Sequence, residues 1–270
     1  MSTRSSGRRL IALDIDGTVM HEDGTITDAV TEAITRVAAQ GDEVMLATGR
    51  SPSATLPVVA RLGIAPEYVV CCNGAVTLRR DSDGGYRVEA VETFDPTDVL
   101  ETIRRSLPDA HYAVEDAAGA FFYTEAFPGG AVMGAETTHV PFEDLLGRLC
   151  TRVVVISPAT GIDDFTALVE EMGLHQVSYA IGWTAWLDIA PNGVNKSTAL
   201  EVIRQELGIE RSDVVALGDG RNDIEMLTWA AAEGAGLAMG QAPDEVRAVA
   251  SAVIPTVHED GVAAALSGLR

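Results

Sequence analysis

The sequence predicts an α/β fold: a Rossmann-like parallel-sheet core with an inserted α+β segment. Three observations carry this. From Leu10 to Cys72 short apolar runs alternate with amphipathic helical stretches, which implies parallel strands joined by right-handed crossovers. After about Asp81 that rhythm gives way to mixed, antiparallel-looking elements, and it resumes near Asn195. Each run ends in polar or glycine-rich residues, so one edge of the sheet collects the chemistry. The expected division is a core of residues 1–82 and 190–270 around an insert of residues 83–189.

The first run, Leu10 to Thr18, reads LIALDIDGT. Its unbroken apolar start suits a strand buried on both faces, with Asp14 and Asp16 where that strand runs out. Thr27 can cap a helix to about Gln40, with Val30, Ala33, Ile34 and Val37 on its apolar side and Gly41 as its stop. Glu43 to Thr48 reads as a second strand, a helix follows from about Ser53 to Leu62, and Tyr68 to Cys72 reads as a third strand. The stretch RRDSDGGYRVEA is turn-rich, like a hairpin leading into something new.

In the insert, helices are expected near Pro96–Ser106, Phe142–Leu149 and Asp163–Met172. Strands are expected near His111–Val114, Ala120–Thr124, Arg152–Ile156, Gln176–Ile181 and Ala185–Ile189. The core then returns with a helix from Asn195 to Leu207 and a strand from Asp213 to Leu217. A helical run over Asp223–Ala232 and short strands at Ala235–Met239 and Ala252–Ile254 close the chain.

Composition excludes several classes. The chain has 270 residues, 47% of them hydrophobic, enough for a large core with an insertion. Its formal charge of −21 makes it a poor partner for nucleic acid or an anionic membrane. An anionic substrate would have to be attracted locally, by a metal, a few basic residues and helix N-termini. Cys71, Cys72 and Cys150 are too few and too oddly spaced for a disulfide framework, and read as reduced core residues of a cytoplasmic protein. The polar N-terminus MSTRSSGRR is expected to fray, and the apolar run after it is too short for a signal-peptide core. No run approaches membrane-spanning length.

Asp14 and Asp16 at the mouth of a buried strand repel each other and are stable as anions only if a cation or proton shares the site. Mg²⁺ suits carboxylates and keeps several waters. Taken singly, each polar group also has a plain structural reading. Asp16-Gly17 can be a turn, as Asp81–Gly84 is expected to be. An EF-hand loop starting at Asp14 would need glutamate where Thr25 stands. Thr48 can be a strand-end threonine, Lys196 a solvated helix lysine, Arg50 a partner in a structural salt bridge and Asp219-Gly220 a turn. Asp223 can be an N-cap, with Asn222 similar; Trp183 and Trp186 can line a pocket or pack the insert on the core.

Taken together and in this order, DIDGT, ATGR, NGVNKSTAL and GDGRND resemble the haloacid dehalogenase superfamily, in particular its Cof-type phosphatases with a class IIB cap. The resemblance spans nearly the whole chain; the insert matches the cap in length and layout more than in motif. One departure is Ser197, where many relatives carry glycine. The resemblance implies that Asp14 attacks phosphorus and becomes an aspartyl phosphate, while Asp16 protonates the leaving oxygen and then activates water. It implies Mg²⁺ at Asp14, the Asp16 carbonyl and Asp219, with Asn222 and Asp223 beside or on the metal. It implies phosphate binding by Thr48, Gly49, Arg50, Asn73, Gly74 and Lys196.

Within that superfamily an acid at Asp16 points to phosphatase chemistry, and the resemblance implies a small phosphorylated metabolite, a sugar phosphate or a cofactor phosphate, as the substrate. A phosphomutase of the same superfamily is the alternative enzyme; a catalytically idle phospho-ligand binding module is the alternative without chemistry, disfavoured because Asp14 and Asp16 are both present. Nothing in the sequence names the leaving group or an oligomeric state.

Overall fold

The computed structural model describes residues 7–127, 136–174, 177–181 and 185–269. The N-terminal stretch expected to fray is described only from Gly7, and Gln176 and Trp183 lie outside the described residues. The first half contains β1 (Leu10–Leu13), α1 (Asp28–Ala39), β2 (Glu43–Leu46), α2 (Pro52–Arg61), β3 (Tyr68–Cys71), β4 (Val76–Arg80) and β5 (Tyr86–Val91). Next come α3 (Thr97–Ser106), β6 (His111–Asp116), β7 (Ala120–Tyr123), β8 (Glu136–His139), β9 (Cys150–Ile156), α4 (Ile162–Met172), β10 (Val177–Ile181) and β11 (Trp186–Pro191). The chain closes with α5 (Lys196–Glu206), β12 (Val214–Gly218), α6 (Ile224–Ala231), β13 (Ala235–Ala238), α7 (Asp244–Val249), β14 (Ala252–Val253) and α8 (Gly261–Ser267).

The core sheet has the order β14-β13-β12-β1-β2, and all its pairings are parallel. β1 is its middle strand, which explains the unbroken apolar run. Ile11 and Leu13 pack with α1, α2 and α8 on one face, and Leu10 and Ala12 with α5, α6 and α7 on the other. Each fully buried leucine or isoleucine here contributes about 1.5–3 kcal/mol relative to exposure. α1 begins as expected: the Thr27 hydroxyl accepts from Val30 N at 3.2 Å and donates to Asp260 at 2.7 Å, fixing the helix to the start of α8.

Val70 of β3 forms an isolated parallel bridge with Ala47, the residue just past β2, and β3 then leads into an antiparallel meander, β3-β4-β5. Residues 82 and 83, where the sequence division falls, lie in the turn between β4 and β5.

The second large sheet has the order β10-β11-β9-β6-β7-β8. It is antiparallel except for its last pair: β8 runs parallel to β7. β8 was not legible because its sequence, ETTH, is polar and all four residues are exposed. The helix expected over Phe142–Leu149 is only a 3₁₀ turn over Phe142–Leu145. α3 and α4 cover one face of this sheet with Val99, Leu100, Ile103, Phe165 and Val169. The three cysteines are buried free thiols. Among the described residues no helix is long and apolar enough to cross a membrane.

Candidate active site

The parallel sheet brings three strand ends side by side. Asp14 follows β1 directly, Thr48 lies just beyond β2, and Asp219 follows β12. Asp14 N donates to the Leu217 carbonyl at 3.0 Å, so the β1–β12 ladder itself sets the separation of the first and last of these.

Lys196 comes from the first turn of α5. Asn195 caps that helix, its side chain accepting from the amides of Ser197 and Thr198, while the Thr198 hydroxyl accepts from the Asn195 amide. Ser197 thus serves the helix start, and its hydroxyl also donates to Asn195 at 2.6 Å. Lys196 is fully buried, and its ammonium donates to Asp14 Oδ1 and Asp223 Oδ1, both at 2.7 Å. The solvated-lysine reading is thereby excluded.

Asp223 Oδ2 accepts from the amides of Asp219 and Gly220, each at 3.0 Å. Both its oxygens are therefore committed, one to Lys196 and one to the loop that carries Asp219. Thr18 donates to Asp219 Oδ1 at 3.3 Å. Carboxylate oxygens of Asp14, Asp219 and Asp223 all lie within 4.8 Å of one another.

Three carboxylates and one ammonium leave a buried surplus of negative charge. Burial pushes the Asp14 pKa well above the usual carboxylate range; Lys196 opposes this, and Asp223, Asp219 and Asp16 add to it. Asp219 is pushed up to about 7, first by burial and then by Asp223, against the pull of Lys196. Burial works against the Lys196 charge, but Asp14 and Asp223 outweigh it and raise its pKa. The donor set is all oxygen, clustered and short of positive charge, which fits a hard divalent cation.

The opposite side of the site is built by two loops laced together. Cys72 N donates to the Arg50 carbonyl at 2.9 Å and Asn73 N to the Thr48 carbonyl at 3.0 Å. The Thr48 hydroxyl is buried and accepts from Arg50 N at 3.2 Å. Gly49 lies against the Asn73 side chain: a Cβ there would sit 3.2 Å from the amide. Gly74 has φ +101°, and a Cβ would lie 2.2 Å from the Asn195 carbonyl, so the loop can approach α5 only with glycine.

Asn222 donates to Asn73 Oδ1 at 3.0 Å, which ties it to the loop carrying Asn73 and Gly74 rather than to the carboxylate cluster. Asp16, by contrast, is largely exposed and forms a two-point ion pair with Arg50, at 2.8 Å from Nε and 2.5 Å from Nη2. The structural reading of Arg50 as an ion-pair partner is thus met, but inside the site.

Sequence reasoning passed over some contributors. Thr18 was signalled by its place in DIDGT. Gln241, which donates to the Gly17 carbonyl at 2.5 Å, had no local signal. Arg152 did have one, as the single charge in the buried strand CTRVVVI.

With this geometry in view, likeness to known proteins is informative. The profile of the haloacid dehalogenase-like hydrolase family matches residues 11–266. Among curated proteins, the chain is 28% identical over 259 residues to the 5-amino-6-(5-phospho-D-ribitylamino)uracil phosphatase YitU of Bacillus subtilis, covering 94% of each chain. It is 29% identical over 273 residues to the pyridoxal phosphate phosphatase YbhA of Escherichia coli, covering 94% of this chain and 96% of that one. Its fold superposes on the subclass IIB sugar phosphatase BT4131 with a TM-score of 0.79 at 20% identity, over 97% of this chain and 98% of that one. The chain belongs to the haloacid dehalogenase-like hydrolase family, in its Cof-type phosphatase branch.

Proposed function

We propose that this chain is a cytoplasmic, Mg²⁺-dependent phosphatase that hydrolyses a small phosphorylated metabolite, a sugar phosphate or a cofactor phosphate, through an aspartyl phosphate on Asp14. The observation that carries this reading is the buried Lys196 ammonium shared at 2.7 Å between Asp14 and Asp223 beside a third carboxylate, Asp219. A buried ammonium and a cation-hungry carboxylate set together cancel charge on an incoming phosphate monoester and on its attacker. The named substrates of YitU and YbhA support the size and class of ligand.

Asp14 Oδ attacks phosphorus and the bond from phosphorus to the ester oxygen breaks. Asp16 gives its proton to the departing oxygen, then takes one from the water that attacks the aspartyl phosphate. The bond from phosphorus to Asp14 breaks, releasing inorganic phosphate and regenerating both carboxyl groups. Lys196 keeps Asp14 oriented and neutralises phosphoryl oxygens; Thr48, Arg50 and the amides of the Gly49 and Asn73–Gly74 loops hold the remaining ones. Arg50 also holds Asp16 at the mouth, where a leaving oxygen would stand. Asp14, Asp219 and the Asp16 carbonyl would hold Mg²⁺, with Asp223 fixing the Asp219 loop. Bound there, the ion supplies charge neutralisation and a template for the phosphoryl group. Residues 83–189 act as the cap over the core formed by 1–82 and 190–270 and select the leaving group.

Phosphate release from a panel of phosphorylated metabolites, with Mg²⁺ and after exhaustive chelation, tests this. Activity confined to the Mg²⁺ condition and lost in Asp14→Asn is expected. Full activity after chelation, or in Asp14→Asn, would overturn it.

A further inference from the structure

β9 is buried along its whole length, and Arg152 is its only charged residue. Arg152 is 7% exposed. It lies between two buried or half-buried carboxylates on the neighbouring strands: Glu115 of β6, opposite it in register, and Asp188 of β11. Its Nε is 3.1 Å from Glu115 Oε2 and its Nη1 3.6 Å from Asp188 Oδ1. Neither contact has hydrogen-bond geometry: Arg152 Nε and Asp188 Oδ1 are buried without a hydrogen-bond partner. Nη1 donates to the carbonyl of Gly49, the residue between Thr48 and Arg50.

A second link runs beside the first. The Cys72 thiol donates to Glu115 Oε2 at 3.6 Å, and Cys72 directly precedes Asn73. Thus Arg152 holds the loop carrying Thr48 and Arg50, and its partner Glu115 touches the loop carrying Asn73 and Gly74. These are the same two loops that are laced to each other by the Cys72–Arg50 and Asn73–Thr48 backbone bonds.

Burying a guanidinium and two carboxylates together is expensive, and imperfect pairing makes it more so. Asp188 carries a hydrogen bond from Trp186 Nε1 at 2.9 Å, so that carboxylate is itself held in place. What the arrangement gains is a fixed donor on a main-chain carbonyl of the phosphate loop. We infer that Arg152 is a positioning residue: from the second sheet it fixes the Thr48–Gly49–Arg50 loop through the Gly49 carbonyl, with Glu115 and Asp188 as the counter-charges that hold its fork in place. The inference rests on the phosphatase reading of that loop. Arg152 touches no reacting atom; it acts through the placement of Thr48 and through the Arg50–Asp16 pair.

Two probes separate this from a role in binding the leaving group. Acetyl phosphate has a leaving group too small to reach β9; p-nitrophenyl phosphate has a larger one. Arg152→Gln is expected to lower kcat on both by about 10–10²-fold, since small misplacements of positioning groups cost on that scale, with KM within roughly threefold. Loss confined to p-nitrophenyl phosphate would make Arg152 a leaving-group contact and overturn the inference, as would unchanged kcat on both. Amide hydrogen exchange reads the same claim without turnover. Segments 48–51 and 72–74 should exchange faster in the variant while β1 does not change, and unchanged exchange in both segments would overturn it. If the wild-type chain hydrolyses neither probe with Mg²⁺, the phosphatase reading fails while the exchange comparison still decides the positioning. Should Arg152→Gln not fold, Arg152→Lys keeps the buried charge and carries the comparison. A smaller loss on both substrates is expected, because one ammonium lacks the fork, and wild-type kcat and exchange would overturn the inference.

Discussion

The Lys196 ammonium donates to Asp14 Oδ1 at 2.7 Å across 182 residues of sequence, and both groups are buried. This contact joins the first strand of the core to the helix that follows the inserted sheet. Removing the cation leaves Asp14 and Asp223 as unpaired buried charges. Lys196→Met should therefore abolish phosphate release and lower the unfolding free energy by about 3–5 kcal/mol, as breaking a buried ion pair does. Urea titration with an activity assay checks both; a fully stable, inactive variant would assign Lys196 to chemistry alone.

Asp14→Asn should fold, because the amide keeps the shape while removing one of three crowded carboxylates. Hydrolysis of an aryl phosphate should fall by roughly 10⁴-fold or more, the scale expected when a covalent nucleophile is lost. Steady-state phosphate release is the measurement.

Asp16→Asn separates the two half-reactions. An activated donor such as acetyl phosphate needs little help from an acid, so Asp14 should still be phosphorylated, whereas the amide cannot activate water. The phosphorylated chain should accumulate and be visible in intact-mass spectra, with turnover strongly reduced. No accumulation would place the hydrolytic base elsewhere.

The pKa of Asp219 sets a pH signature in the metal-free protein. The folded-state value is about 7 against an ordinary 3.8, so between these the folded chain holds a proton that the unfolded chain has lost. This carboxylate's contribution to stability is thus present at low pH, declines as pH rises through that window, and levels off above about 7. Thermal melts in EDTA should show this decline in wild type and a smaller one in Asp219→Asn. Mg²⁺ should raise the melting temperature more at pH 8 than at pH 5.5, because protons compete with the ion. Equal decline in both proteins would refute the assignment.

Gly17 has φ +76°, and a Cβ there would lie 2.1 Å from Asp219 Oδ2. Gly17→Ala should displace the Asp219 carboxylate and weaken Mg²⁺ binding, besides the ~1–2 kcal/mol cost of a left-handed backbone for alanine. Calorimetric titration of Mg²⁺ into wild type and variant checks this.

The core could be read from sequence because its signals are local. β1 is an unbroken apolar run since both its faces are covered, and Thr27 and Asn195 announce their helices by capping. Taken alone Lys196 looked like any surface lysine, and only the resemblance carried by NGVNKSTAL placed it in the site: its burial depends on Asp14 and Asp223, which no window of sequence contains together. Asn222 and Asp223 are adjacent in GDGRND, yet one turns to Asn73 and the other to Lys196, a split decided by the 3₁₀ turn that opens α6. The Arg152–Gly49 bond was out of reach because it depends on how the two sheets meet. β8 was missed for the opposite reason: its side chains are solvated, so only its backbone pairing with β7 makes it a strand.

The middle position of β1 has a consequence for how the chain comes off the ribosome. β2 is made soon after β1, but β12, its other neighbour, begins at Val214. Through most of translation β1 has one bare hydrogen-bonding edge, and the hollow that will receive Lys196 and Asp219 cannot form. Such late, long-range closure slows folding and leaves nascent chains prone to clump. Stalled or truncated products ending before Val214 should accordingly depend on chaperones, and none should turn over substrate.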